Sequence, residues 1–441
     1  MRRLDRLLLV IFGIGVLGVL MIEFVGRWVG LPAPQLVVGA GDEVGVWGPI
    51  GLKFAWAMRS EHVVERLAIE PAVAGKWVWE GNVVWFWPQE ALKPGTLYTL
   101  RLAAGAQAEN GLVLRRDALW TVPVRMEQLT YLSGGEVWVA DPRSGAVWPW
   151  TETNGNVLDF GVRRDGEMLV YAAQNEQGGA DLWVLPRGAD GDQAERLLAC
   201  GEEICQRAAW SPDGRRLVFS RSAERQLPHL WSVAWPDGQA SALGESELLV
   251  GDFASWSPDG NFLSFYDRTA RSIRVLDVVR GEMVLLKTEV ESSGSWSPDG
   301  QHLVYSTQGE GGPGPFLSLV SADLRNDTLR LFFYDGNSTY IYGVPAWHPG
   351  EDWFVLGLRP LQGWVSQQLW VARADGLERA LTTDWTKTYG AYSWHPGGRW
   401  LAAQQFALGD STASPAVVVW SWPEEKMRLI AEGAVQPVWL P

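Results

Sequence analysis

The sequence predicts an all-β fold, on three observations. Apolar and polar residues alternate with period two in short runs after about residue 36. Gly (49 copies) and Pro (25 copies) punctuate the whole chain, as many short strands joined by turns require. One motif, Trp-Ser-Pro-Asp-Gly followed by an apolar strand, recurs at the spacing of one small sheet. At 441 residues, 47% hydrophobic and 20% charged, the chain has room for two or three folded units with buried cores. A net charge of −14 argues against a nucleic-acid partner, which needs a basic face.

The first element is the exception to the β pattern. Residues 7–25, LLLVIFGIGVLGVLMIEFV, are apolar apart from Glu23. As a helix they reach roughly 28 Å, close to the thickness of a bilayer core. Arg2, Arg3 and Arg6 precede the run and only Arg27 follows closely, which predicts a cytoplasmic N-terminus. Residues 1–29 therefore read as a stub and single-pass anchor in the cytoplasmic membrane, with the bulk extracytoplasmic. A cleaved signal peptide is the competing reading. The glycine pattern GIGVLG at 13–18 has no strand before it and no helix opening after it, so it signals no dinucleotide site.

Residues 36–125 follow the linker GLPAPQ. GPIGLKFAWAM (48–58) alternates around Leu52, Phe54 and Trp56, and GKWVWEGNVVWFWP (75–88) reads as two strands about Glu80-Gly81-Asn82. LYTLRLAAG (97–105) and ALWTVPV (118–124) add two more, a spacing that indicates an antiparallel sandwich. With LKPGTLYTLRL and AENGLVL, these stretches resemble the bacterial Ig-like domains of surface proteins. That likeness implies a spacer module without catalysis.

From residue 127 the repeat takes over. AAWSPDGRRLVFS (208–220), ASWSPDGNFLSFY (254–266) and GSWSPDGQHLVYS (294–306) are near copies; PAWHPGEDWFVLG (345–357) and YSWHPGGRWLAAQ (392–404) are looser. FGVRRDGEMLVYA (160–172) keeps only the Asp-Gly and the strand after it. Reference positions Val162, Trp210, Trp256, Trp296, Trp347 and Trp394 lie 48, 46, 40, 51 and 47 residues apart, one four-stranded blade each. In each copy a strand ends at Trp, Pro blocks its continuation, Asp-Gly reverses the chain and an alternating strand returns. The Trp residues read as packing between blades.

The two ends of this region complete each other. Trp439 follows Trp394 by 45 residues, and VWLP reproduces the start of the motif; the chain then stops. Residues 128–150 hold three strands with no leading strand. Joined, they make a seventh blade and predict a seven-bladed β-propeller closed by its C-terminal strand, which also removes a free sheet edge. The repeats resemble TolB-type propellers and the N-terminal propellers of prolyl-oligopeptidase-type enzymes. The first likeness implies a bacterial envelope platform that binds proteins.

No catalytic constellation emerges. The sequence has no Gly-x-Ser-x-Gly elbow, His-Glu-x-x-His, P-loop or calcium loop, so no catalytic, cofactor or metal residue is assigned and no enzyme is expected. His348 and His395 occupy motif turns and read as structural, as do Asp213, Asp259 and Asp299. Cys200 and Cys205, the only cysteines, permit a local disulfide, with an inert reduced pair as the alternative. The ten-residue windows before the seven reference positions hold ten acidic and three basic residues, a slight bias. Their tyrosines and tryptophan, Tyr340, Tyr342, Trp385, Tyr389 and Tyr392, with Trp364 nearby, are the candidate ligand contacts. The expected function is a membrane-anchored scaffold binding an envelope protein or peptide. A cell-surface glycan-binding module is the alternative, and a propeller hydrolase or lyase comes third.

Overall fold

The computed structural model describes residues 31–38, 43–236, 238–243, 249–288, 290–308, 317–324, 328–333, 340–360, 365–373, 376–409, 412–422 and 425–440. The chain divides into two compact units, residues 1–125 and 126–441.

Among the described residues, no helix is long and apolar enough to cross a membrane. The α-helix described, Ser60–Val64, has five residues where a span needs about 20. The expected single-pass location in the cytoplasmic membrane is therefore overturned. The run at 7–25 that prompted it lies outside the described residues.

The first unit is two antiparallel sheets. One runs Gln35–Val37, Ile50–Lys53, Val83–Pro88, Gly75–Glu80; the other runs Leu67–Glu70, Leu97–Leu102, Ala118–Pro123. Alternate residues of both, including Leu52, Val84, Phe86, Leu100, Leu102 and Val122, make one core. The hairpin at Glu80 closes through Gly81-Asn82, with Gly81 at φ +58°, a value glycine adopts without strain. The expected alternation through Trp56 ends early. The strand stops at Lys53, and Trp56 is 48% exposed.

The second unit repeats one pattern of antiparallel strands. Its first sheet runs Val147–Pro149, Glu136–Ala140, Gln128–Ser133, Ala434–Leu440. The C-terminal strand thus pairs with the first strand of the unit, Trp439 opposite Leu129 and Leu440 opposite Gln128. Later groups open with Val157–Val162, Ile204–Trp210, Asp252–Trp256, Ser295–Trp296, the split pair Tyr340–Tyr342 and Ala346–Trp347, and Lys387–Trp394. One parallel bridge, Ala180 to Ile204, links the groups opening at Val157 and Ile204.

The leading strands of neighbouring groups lie against one another. Val157–Val162 lies against both Ala434–Leu440 and Ile204–Trp210; Ile204–Trp210 lies against Asp252–Trp256; Lys387–Trp394 lies against Ala346–Trp347 and Ala434–Leu440. The second strands are covered on both faces by neighbouring sheets, so Phe262–Asp267 is buried at all six positions and reads as a continuous apolar run.

Candidate functional site

The motif turns are hydrogen-bonded modules. Ser211 Oγ donates to Asp213 and accepts the N–H of Arg216, while Asp213 accepts the N–H of Arg215. Ser257 with Asp259, and Ser297 with Asp299, repeat this atom for atom. The closing glycines Gly214, Gly260 and Gly300 have φ of +67°, +75° and +70°, where an L side chain is strained. Each also touches the preceding repeat. A Cβ there would meet Arg163, Pro212 and Asp259 in turn.

In the looser copies an imidazole replaces the serine. His348 Nδ1 accepts the N–H of Gly350 and its Nε2 donates to the Gly398 carbonyl at 3.1 Å; His395 Nδ1 accepts the N–H of Gly397. Burial pushes the His395 pKa down to about 3, helped by the Arg143 charge. Burial also lowers that of His348, outweighing the Gly398 bond and the Glu351 charge. Both are neutral struts.

Three of the reference tryptophans tie sheet to sheet. Trp256 Nε1 donates to the carbonyl of Ala209, Trp296 to that of Ser255 and Trp439 to that of Ser393, at 3.1–3.3 Å. In every case the acceptor is the residue just before the preceding reference Trp. Trp439, on the C-terminal strand, obeys the same rule.

The candidate aromatics separate. Tyr389 and Tyr392 lie within the strand Lys387–Trp394. Tyr389 is buried, and burial with the Asp384 charge pushes its phenol up to about 12. The Tyr392 hydroxyl donates to the Val344 carbonyl and accepts the Gly357 N–H, so it is used in packing, and burial raises its pKa further. Tyr340 and Tyr342 belong to a strand paired with Pro360 and Leu358 rather than to a loop. Trp364 lies outside the described residues. Trp385 is 37% exposed. Cys200 and Cys205 form a disulfide, and Cys200 N–H donates to Asp181. Among the described residues, no group of three His, Cys, Asp or Glu could hold a metal.

A different cluster assembles on the leading strands. Four of them carry the same bulge, three residues before the reference Trp: Arg207, Phe253, Ala391 and Gln436 have φ of +54°, +55°, +44° and +54°. Non-glycine residues seldom adopt this conformation. Two bulges join a charged network. The backbone N–H of Arg207 donates to Asp159 Oδ2 at 2.7 Å, and its guanidinium pairs with Asp252 Oδ2. The same guanidinium lies 4.2 Å from the Phe253 ring centroid. Asp252 Oδ1 accepts from Ser220 Oγ and from the Phe253 N–H, so this buried carboxylate is fully engaged. Burial raises the Asp159 pKa to about 6, against the Arg207 N–H and charge and with the charge of Asp252. Arg207 keeps 36% of its side chain exposed.

Comparison with known proteins fits the repeat. Residues 127–351, just over half the chain, match the family model PD40, described as the TolB beta propeller domain. The chain belongs to the TolB beta propeller family. The TolB-type chain is 26% identical over 186 residues to the "Uncharacterized peptidase YuxL" of Bacillus subtilis (strain 168), a match covering 42% of this chain and 26% of that protein. It thus spans about a quarter of that relative's length. Among solved structures it is similar to TolB from Acinetobacter baumannii, with 12% identity, a TM-score of 0.45, and coverage of 85% of this chain and 83% of that one. It is also similar to the propeller domain of the Trilobed protease from Pyrococcus furiosus, with 13% identity, a TM-score of 0.45, and coverage of 63% and 85%.

No residue role in this TolB-type propeller is taken from those proteins. Its Asp159–Arg207–Asp252 cluster escapes the sequence reading because a bulge shifts register without leaving a motif. The available signal was the dipeptide Asp-Phe, which recurs at 159–160 and 252–253, in the strands Val157–Val162 and Asp252–Trp256 that flank Ile204–Trp210.

Proposed function

We propose that this chain is a binding protein. In this reading the seven strand groups close into one seven-bladed ring whose inner strands receive a protein or peptide, and residues 36–125 are an Ig-like spacer that presents it. Membership of the TolB propeller family supports the platform role. The observation that carries the proposal is the partly exposed Arg207, held by Asp252 and Phe253 on the leading strand of its group. A clamped polar side chain beside an aromatic ring, on a rigid strand, is a preorganised contact for a polypeptide.

The test is site-specific photocrosslinking of the full chain, with benzoylphenylalanine replacing Phe253. The control position is Val279, 78% exposed on an outer hairpin. Polypeptide adducts at position 253 and not at 279 are expected. Binding of glycans with no polypeptide adduct, or turnover of the captured peptide, would overturn the reading.

A further inference from the structure

We infer that Arg207 recognises an uncharged carbonyl oxygen of the bound polypeptide, a backbone or carboxamide C=O, and not a carboxylate. This rests on the peptide-binding reading above and names the chemistry of its contact.

Three features of the site lead there. The first is donor supply. Of the guanidinium N–H groups, Nη1 is committed to Asp252, while Nε and Nη2 meet no acceptor among the described residues and the side chain is about one-third exposed. The second is geometry. The Asp252 contact on one side, the Phe253 ring beneath and the Arg207 backbone bond to Asp159 fix both the backbone and the plane of the fork. Asp252 is itself locked by Ser220 and Phe253, so the clamp does not depend on a ligand.

The third is charge. Asp252 compensates the guanidinium, and Asp159 adds a second carboxylate beside the same residue, so an incoming carboxylate meets one arginine and two acids. The chain as a whole carries −14. Coulomb repulsion in a partly buried site disfavours the anion, whereas a neutral carbonyl gains a charge-assisted hydrogen bond without bringing charge. An arginine whose charge is already neutralised is a directional donor.

The experiment titrates the full chain with two fluorescein-labelled hexapeptide pools built from uncharged residues. One is C-terminally amidated and the other has a free carboxylate. The amidated pool is expected to bind at least as tightly as the free acid, with affinity flat between 50 and 500 mM NaCl. Arg207→Ala is expected to weaken it tenfold or more. Should that variant unfold, wild-type protein labelled with ¹⁵N-arginine reads the same contact through a shift of the Arg207 Nε–H resonance on adding the amidated pool. A tenfold preference for the carboxylate pool that fades with salt, or binding indifferent to Arg207 with a silent Nε–H, would overturn the inference and leave peptide binding standing. Failure of both pools to bind wild type would bring down both.

Discussion

His395 is neutral because its ring is buried against Trp439 and its Nδ1 is spent on the turn. The unfolded chain takes up this proton near 6.5 and the folded chain only near 3. The unfolded state therefore binds more protons between those values, and stability is lost as pH falls through that window. His395→Gln should lower stability at pH 7 yet flatten the loss between pH 6.5 and 4, read from urea midpoints at several pH values. An unchanged acid limb would assign that loss to other groups. Ala391 poses the opposite case, a β-carbon at φ +44°. Left-handed backbone costs an alanine about 1–2 kcal/mol, and glycine gives back part of it as unfolded-state entropy. Ala391→Gly should stabilise the protein by about 0.5–1 kcal/mol in chemical denaturation; a loss of stability would show that the methyl group packs.

At the scale of elements, the sequence exposed the repeat because turn chemistry is local. Ser, Pro, Asp and Gly each serve a contact within six residues, so their order survives in the text of the chain. The pairing of Ala434–Leu440 with Gln128–Ser133 was legible for the same reason, since half a motif at one end matched the missing strand at the other. The Arg207 cluster was not. Whether Arg207 meets Asp252 depends on a bulge and on two sheets lying side by side, and neither is written in spacing. The aromatic windows counted residues before the Trp as loop, whereas Lys387–Trp394 is strand for eight residues. Removing residues 434–441 should bare the backbone of Gln128–Ser133 and expose the pocket of Trp439. The expected result is a loss of several kcal/mol, with light scattering that rises over hours from edge-to-edge association. A variant that stays monomeric with an unchanged urea midpoint would show that the strand contributes nothing.

At the scale of the whole molecule, the contacts of the C-terminal residues with the start of the second unit span the greatest sequence separations among the described residues. Thr130 Oγ1 donates to the Val438 carbonyl 308 residues away, while neighbouring motifs are 40–51 residues apart. Loop-closure entropy makes the long closure costlier by about 2 kcal/mol, so the terminal pairing should form late in folding. Trp439→Ala should then cost about 3–5 kcal/mol, and nearly all of it should appear as faster unfolding with refolding unchanged within twofold. Equal slowing of refolding in stopped-flow traces would place that strand in the folding nucleus instead.

The contact of four motif glycines, Gly214, Gly260, Gly300 and Gly398, with the previous turn makes neighbouring repeats depend on each other. Gly398 accommodates the imidazole of His348, as Gly214 accommodates Arg163 and Gly300 accommodates Asp259. Each of these copies is fitted to the one before it, so a copy moved to another slot would meet a neighbour it does not match. Among cousins of this chain, a substitution at 348 should be answered at 398 before it is answered anywhere else.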